Sequence, residues 1–130
     1  MRLEVLTPAM TRLDVEVARI RAEAPEGHFG LLPRHVDFVS QLVPGILQYE
    51  DLEGATHFVA VNSGTLVKCG PEVTVAVRGA ILGDDPAVLR SRVETEFRRQ
   101  DDDERAARAA LARLEAGMLR RFRDLVGGAR

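Results

Sequence analysis

Sulfur chemistry is almost absent from this chain of 130 residues, because Cys69 is its single cysteine. That excludes an internal disulfide and fits a reducing compartment. Cys69 falls in a strand-like run and reads as a small packing residue, not as a reactive thiol. Aromatic residues make up only 5%, so valine, leucine and isoleucine must fill the core. Of 18 basic residues only Lys68 is lysine, a bias that reads as genome composition more than chemistry. No run approaches the roughly 20 apolar residues of a membrane span. The charged start Met1-Arg2-Leu3-Glu4 also lacks the apolar stretch of a signal peptide. A cytoplasmic protein is expected, one that reaches a membrane only through a partner. Catalytic arrangements are missing too. No serine or cysteine nucleophile stands beside a histidine, no paired carboxylates form a recognisable catalytic motif, and there is no P-loop. An enzyme is therefore not expected. The three histidines, His28, His35 and His57, have no cysteine support and fall short of a metal site.

What is present has the balance of a globular protein, with 45% hydrophobic and 29% charged residues. The length suits one compact domain or one domain with an appendage. A net charge of −2 gives no pointer to nucleic acid. The halves differ: residues 1–83 carry 7 basic and 10 acidic side chains, and residues 84–130 carry 11 and 10. From Glu104 onward there are 7 basic and 3 acidic residues, so the last segment is locally cationic.

Residues 2 to about 82 show the period-two pattern of half-buried strands. Val73, Val75 and Val77 alternate with Glu72, Thr74 and Ala76. Leu13, Val15 and Val17 alternate with Arg12, Asp14 and Glu16, and then the phase flips so that Ala18, Ile20 and Ala22 share a side. Such a flip predicts a β-bulge that bends one long strand and lets it serve two sheets. Turn signals recur at Thr7-Pro8, Pro25-Glu26-Gly27, Gly30 to Pro33, Pro44-Gly45, Glu53-Gly54, Ser63-Gly64 and Gly70-Pro71. That punctuation argues for an antiparallel β-sandwich or flattened barrel over residues 1–83.

At Gly83 the pattern changes. Asp85-Pro86 offers an N-cap followed by proline at the first helical position. Leu89, Val93 and Phe97 then recur every fourth residue. The run Gln100-Asp101-Asp102-Asp103 interrupts that stripe and supplies acidic groups for the start of a second helix. Ala107, Leu111, Leu114, Met118, Phe122 and Leu125 follow, and Gly127-Gly128 is placed to end the helix. The expectation for residues 84–130 is a two-helix hairpin, its seam made by the two apolar stripes. Narrow stripes bury few contacts per residue, so the hairpin should be held weakly.

In this order the segments resemble the epsilon subunit of bacterial F-type ATP synthases along nearly the whole chain. The resemblance is carried by Leu3-Glu4-Val5-Leu6-Thr7-Pro8, by Glu26-Gly27-His28-Phe29-Gly30-Leu31-Leu32-Pro33-Arg34-His35, and by Leu42-Val43-Pro44-Gly45. Val61-Asn62-Ser63-Gly64-Thr65-Leu66-Val67 and Val73-Thr74-Val75 complete it. Arg34 departs from the family's usual glycine, Asp37 from its common proline, and Arg78 from a frequent acidic residue. These departures fit a divergent branch, such as a second, alternative ATPase operon.

The resemblance implies a non-catalytic rotor subunit on the cytoplasmic face of the bacterial inner membrane. Its sandwich would bind the gamma subunit and stand on the c-ring. The ring contact would fall on Glu26, His28, Phe29, Leu32, Pro33, Arg34 and His35, and the gamma contact on Ser40, Leu42 and Val43. The helices would be a switch, permissive when folded and inhibitory toward ATP hydrolysis when extended. In the extended state Arg113, Arg120, Arg121 and Arg123, with Arg108 on the same cationic helix, would meet acidic loops of the catalytic beta subunits. Guanidinium groups suit such contacts because they bind carboxylates bidentately. Many relatives bind ATP on the folded helices through an aspartate three residues before an arginine–alanine pair. Here Arg90 fits the arginine, but Ala87 and Ser91 occupy the other places, so no bound cofactor is expected. The rival reading is a stand-alone β-sandwich adaptor with a helical interaction tail.

Overall fold

The structure is a computed structural model and describes residues 1–128. Nine strands come first: β1 (Arg2–Leu6), β2 (Thr11–Ala24), β3 (Gly27–Leu31), β4 (Phe38–Leu42), β5 (Gly45–Asp51), β6 (Thr56–Val61), β7 (Gly64–Cys69), β8 (Glu72–Val77) and β9 (Ala80–Gly83). Their order across the sheet is β4-β7-β8-β1-β2-β5-β6-β9, with β3 also on β2. Every pairing is antiparallel except β1 with β8, which run parallel.

The 14-residue β2 makes this a two-layer structure. Its first half pairs with β1 up to Glu16, and its second half pairs with β5 from Val17 and with β3 from Ile20. Between Val17 and Arg19 the register slips by one residue, so Ala18 is the bulge that the phase flip predicts. Val17 then faces inward on one side of the slip, and Ile20, Ala22 and Ala24 on the other.

The core between the layers is aliphatic, as the scarcity of aromatics requires. Leu3, Val5, Val17, Ile20, Leu31, Leu47, Val59, Leu66, Val73 and Val75 are fully enclosed, and Tyr49 is the aromatic residue buried with them. At about 25 cal/mol per Å², each such side chain contributes roughly 1.5–3 kcal/mol of burial. Gly64 is demanded by packing, since a Cβ there would collide with the Ala76 carbonyl and lie 2.7 Å from Val77 Cα.

The helical segment starts as expected: Asp85 caps α1 (Pro86–Arg92), its carboxylate accepting the Ala87 N–H at 2.9 Å. Leu89 and Phe97 are buried with Ala60, and Ile46, Phe58, Ile81 and Val93 pack around them. This small second core lies on the outer face of the sheet carrying β5, β6 and β9. Gly83 belongs to it: paired to Phe58 in the ladder, it would bring a Cβ within 2.9 Å of Leu89.

Leu89, Val93 and Phe97 are four residues apart, a spacing that drifts around an ordinary α-helix. A π-helical turn at Val93–Phe97 widens the helix there, which restores Phe97 to the buried side.

The expected hairpin is not what forms. The π turn leads directly into α2 (Arg98–Gly128), so helix is unbroken from Pro86 to Gly128. The acidic run Gln100 to Asp103 lies inside α2. It contains neither glycine nor proline, and each aspartate costs at most about 0.7 kcal/mol of helix propensity, less than a break in the backbone ladder. The Gly127-Gly128 pair is helical, and any cap beyond it falls outside the described residues. The leading stripe, Leu89, Val93 and Phe97, meets the sheet, while Leu111, Leu114, Met118, Leu119, Phe122, Leu125 and Val126 on α2 are 57–74% exposed. Two compact units result, Met1–Phe97 and the helix from Arg98 onward.

Candidate partner-binding surfaces

The loop expected to meet the ring is built from β3 and the turn after it. Pro25 and Glu26 link β2 to β3, and Gly27 enters the strand at φ 126°, a conformation that favours glycine. Glu26, His28, Leu32, Pro33, Arg34 and His35 are all exposed. His28 Nδ1 is 3.9 Å from Glu23 Oε1. The His35 N–H donates to the Leu32 carbonyl at 2.9 Å, closing a β-turn through Pro33 and Arg34. Phe29 differs from its neighbours: it is half-buried, packs on the main core, and meets Phe38 edge-on at 5.3 Å. The His35 ring also meets Phe38, at 5.5 Å.

Lys68 fixes this loop in place. It follows Leu66 on the inward side of β7 and is only 2% exposed. Its ammonium donates to the carbonyls of His35 at 2.6 Å and Gly70 at 2.9 Å. The Asp37 carboxylate accepts the Gly70 N–H at 2.8 Å, so the loop is fastened twice to the β7–β8 turn. Gly70 takes φ 57° in that turn. The lone lysine is therefore structural, not a residue of base composition alone. Only its inward register on an alternating strand hinted at this in the sequence. Asp37, one of the departures from the family pattern, has the same fastening role. Cys69, in contrast, is exposed on the outer face of β7 and does not pack. The alternation that buries Leu66 and Lys68 necessarily turns Val67 and Cys69 outward.

Two further apolar residues, Val36 and Val39, are exposed near the loop, and the sequence pattern did not single them out. Of the residues expected to meet gamma, Ser40 and Val43 are partly exposed. Leu42 is buried in the main core. Ser40 Oγ donates to the Gln41 carbonyl at 3.0 Å.

His57 has local partners. Its Nε2 lies 2.8 Å from Asp51 Oδ2, and its ring stacks on Tyr49 at 5.0 Å. Asp51 Oδ1 accepts the N–H groups of Glu53 and Ala55, which closes the β5–β6 turn. The His57 hydrogen bond, followed by that from Ala55, holds the Asp51 carboxyl below its ordinary range. Burial, reinforced by Asp51 and Asp84, pushes the Tyr49 hydroxyl up. No group of three or more metal-ligating side chains forms among the described residues.

On the helices, Arg90 is exposed, and the Asp85 carboxylate is engaged in the α1 cap. Arg113, Arg120, Arg121 and Arg123 are exposed along α2, and Arg108 pairs with Glu104 at 3.4 Å. No described helix is long and apolar enough to cross a membrane.

Comparison with known proteins places this geometry. The family model of the ATP synthase delta/epsilon chain beta-sandwich domain matches residues 1–83. The chain is 38% identical over 124 residues to ATP synthase epsilon chain 2 of Paraburkholderia xenovorans, covering 94% of this chain and 89% of that one. It is 40% identical over 120 residues to ATP synthase epsilon chain 2 of Cereibacter sphaeroides, covering 91% and 82%. Among solved structures it resembles a chain of the Euglena gracilis mitochondrial ATP synthase OSCP/F1/c-ring assembly, with TM-score 0.59 and 28% identity. That match covers 62% of this chain and 51%, about half, of the other. A chain from the central stalk and c-ring of the Tetrahymena thermophila mitochondrial ATP synthase shares the fold at TM-score 0.53 and 16% identity, covering 62% and 65%. With a sandwich, a helical extension and relatives matched over most of their length, the chain belongs to the ATP synthase epsilon-chain family, whose members are non-catalytic subunits of that complex.

Proposed function

We propose that the chain is a rotor subunit of the central stalk, coupling ion flow to ATP synthesis in an F-type ATP synthase. The sandwich binds gamma around Ser40 and Val43. It stands on the c-ring through His28, Leu32, Pro33 and Arg34 at the exposed end of β3, and so works at the cytoplasmic face of the bacterial inner membrane. Residues 84–130 form the regulatory part, within which α2 reaches the catalytic hexamer and blocks ATP hydrolysis. One observation carries the regulatory reading: α2 presents to solvent a long apolar stripe, suited to a partner helix, and the side chains of Arg113, Arg120, Arg121 and Arg123, suited to acidic loops. Within that part, the packing of Leu89 and Phe97 into the sheet unit supports α2 as the moving element.

The test is ATP hydrolysis by the reconstituted complex carrying Arg120→Gln, Arg121→Gln and Arg123→Gln together. Hydrolysis should rise several-fold with assembly intact. An unchanged rate would remove the inhibitory role of these arginines.

A further inference from the structure

The outer face of the sheet carrying β2, β3, β5, β6 and β9 is divided. Its β6–β9 side is covered by α1 and the π turn. Its β2–β3 side is open, and there a cleft of about 340 Å³ is lined by Arg19, Ile20, Arg21, Gly30, Leu31 and Leu32. Arg21 and Gly30 are cross-strand partners, so both face outward from adjacent strands. Gly30 has no positive φ, and a Cβ there would meet only the Ile20 carbonyl at an ordinary 3.7 Å. Packing does not demand glycine at that point; the missing side chain is what leaves the space beside Arg21 empty.

The two guanidinium groups differ in their surroundings. Arg19 has Glu50 at 3.5 Å. Arg21 has no carboxylate partner among the described residues. Leu32, 55% exposed, forms an apolar rim to the cleft. An unpaired guanidinium beside an apolar rim and an empty glycine position is complementary to a carboxylate side chain with an apolar neighbour. Such a charge-assisted pair is stronger than a neutral hydrogen bond.

We infer that this cleft receives an acidic side chain from the c-ring loops, with the adjacent apolar residue of the loop resting on Leu32. The inference rests on the proposed standing of the sandwich on the ring, and it adds a β2 arginine to a contact otherwise drawn from β3 and its turn.

The experiment measures binding of the gamma–epsilon complex to detergent-solubilised c-rings at several salt concentrations. Arg21→Gln and, separately, Gly30→Val should each weaken binding about tenfold, the loss of one charge-assisted contact. Arg21→Gln should also flatten the salt dependence. Two references accompany them: Arg12→Gln, an exposed arginine far along β2, and the double variant His28→Ala with Arg34→Ala. Equal weakening by Arg12→Gln would reduce the effect to general charge and overturn the cleft. Full binding by both cleft variants, with loss in the His28–Arg34 double variant, would overturn the cleft and leave the ring contact standing. Full binding by all of them would remove both.

Discussion

The side-chain nitrogen of Lys68 lies 2.6 Å from the carbonyl oxygen of His35, a residue 33 positions earlier in the chain. A buried ammonium in this position joins the loop of residues 32–37 to the β7–β8 turn by donating to two backbone carbonyls. Replacing Lys68 with methionine keeps the length of the side chain and removes the donor from two backbone carbonyls. The expected cost is about 1–3 kcal/mol in urea denaturation, the penalty for unsatisfied buried polar groups. Amide exchange in residues 32–37 should accelerate more than in β5 or β6. A uniform change across the sandwich would show that Lys68 supports the core and not the loop.

Gly64 and Gly117 should respond oppositely to alanine. Gly64→Ala forces a Cβ into the backbone of β8, so the variant should be poorly folded or insoluble. At Gly117 a Cβ meets nothing within 4 Å, and alanine should stabilise α2 by about 1 kcal/mol. Circular dichroism at 222 nm during heating reads this as a later loss of helix.

Two truncations separate the proposed platform from the proposed switch. A chain ending at Phe97 keeps Leu89 and Phe97 against Ala60 and Phe58, and should melt close to the full chain. A chain ending at Gly83 uncovers that apolar patch. It should lose a few kcal/mol, roughly the burial of two large side chains, and bind more of a hydrophobic dye. Equal stability of the two chains would mean that α1 is held no more firmly than α2.

Acid should loosen the β5–β6 turn. The Asp51 carboxyl is held below its ordinary 3.8 chiefly by the His57 hydrogen bond. A lowered folded value stabilises the protein while the unfolded carboxyl is ionised, and the benefit disappears as pH falls through the folded value. The melting temperature should therefore drop below about pH 4, and an Asp51→Asn variant should show a smaller drop over the same window. Parallel curves for the two proteins would assign the acid sensitivity to other carboxylates.

Cys69 should react with a small maleimide in the native state, without denaturant, because its side chain faces solvent. Protection equal to that of a buried thiol would contradict the register of β7.

The strands were legible in the sequence because alternation is a local property. Val73, Val75 and Val77 declare an inner face by themselves, and the slip at Ala18 was visible as a change of phase. The helical part was less legible because its outcome depends on a competition. Three aspartates in a row look like a boundary, yet with no glycine or proline beside them the helix continues. A π turn, which no residue pattern announces, decides that Phe97 faces the sheet. Lys68 was illegible for another reason. A lysine on the inward register of a strand conflicts with the usual expectation of exposure, and only the arrival of two carbonyls from distant segments resolves the conflict. The outward glycine at position 30 gave no signal beyond its membership of a turn-rich stretch.

The long strand β2 has a mechanical consequence. Because one continuous backbone runs through both layers, a tangential load on either layer is borne by covalent bonds and ladder hydrogen bonds. Layers joined only by side-chain packing could slide past each other under torque; these are splinted, and the bulge at Ala18 sets the angle at which the splint is bent.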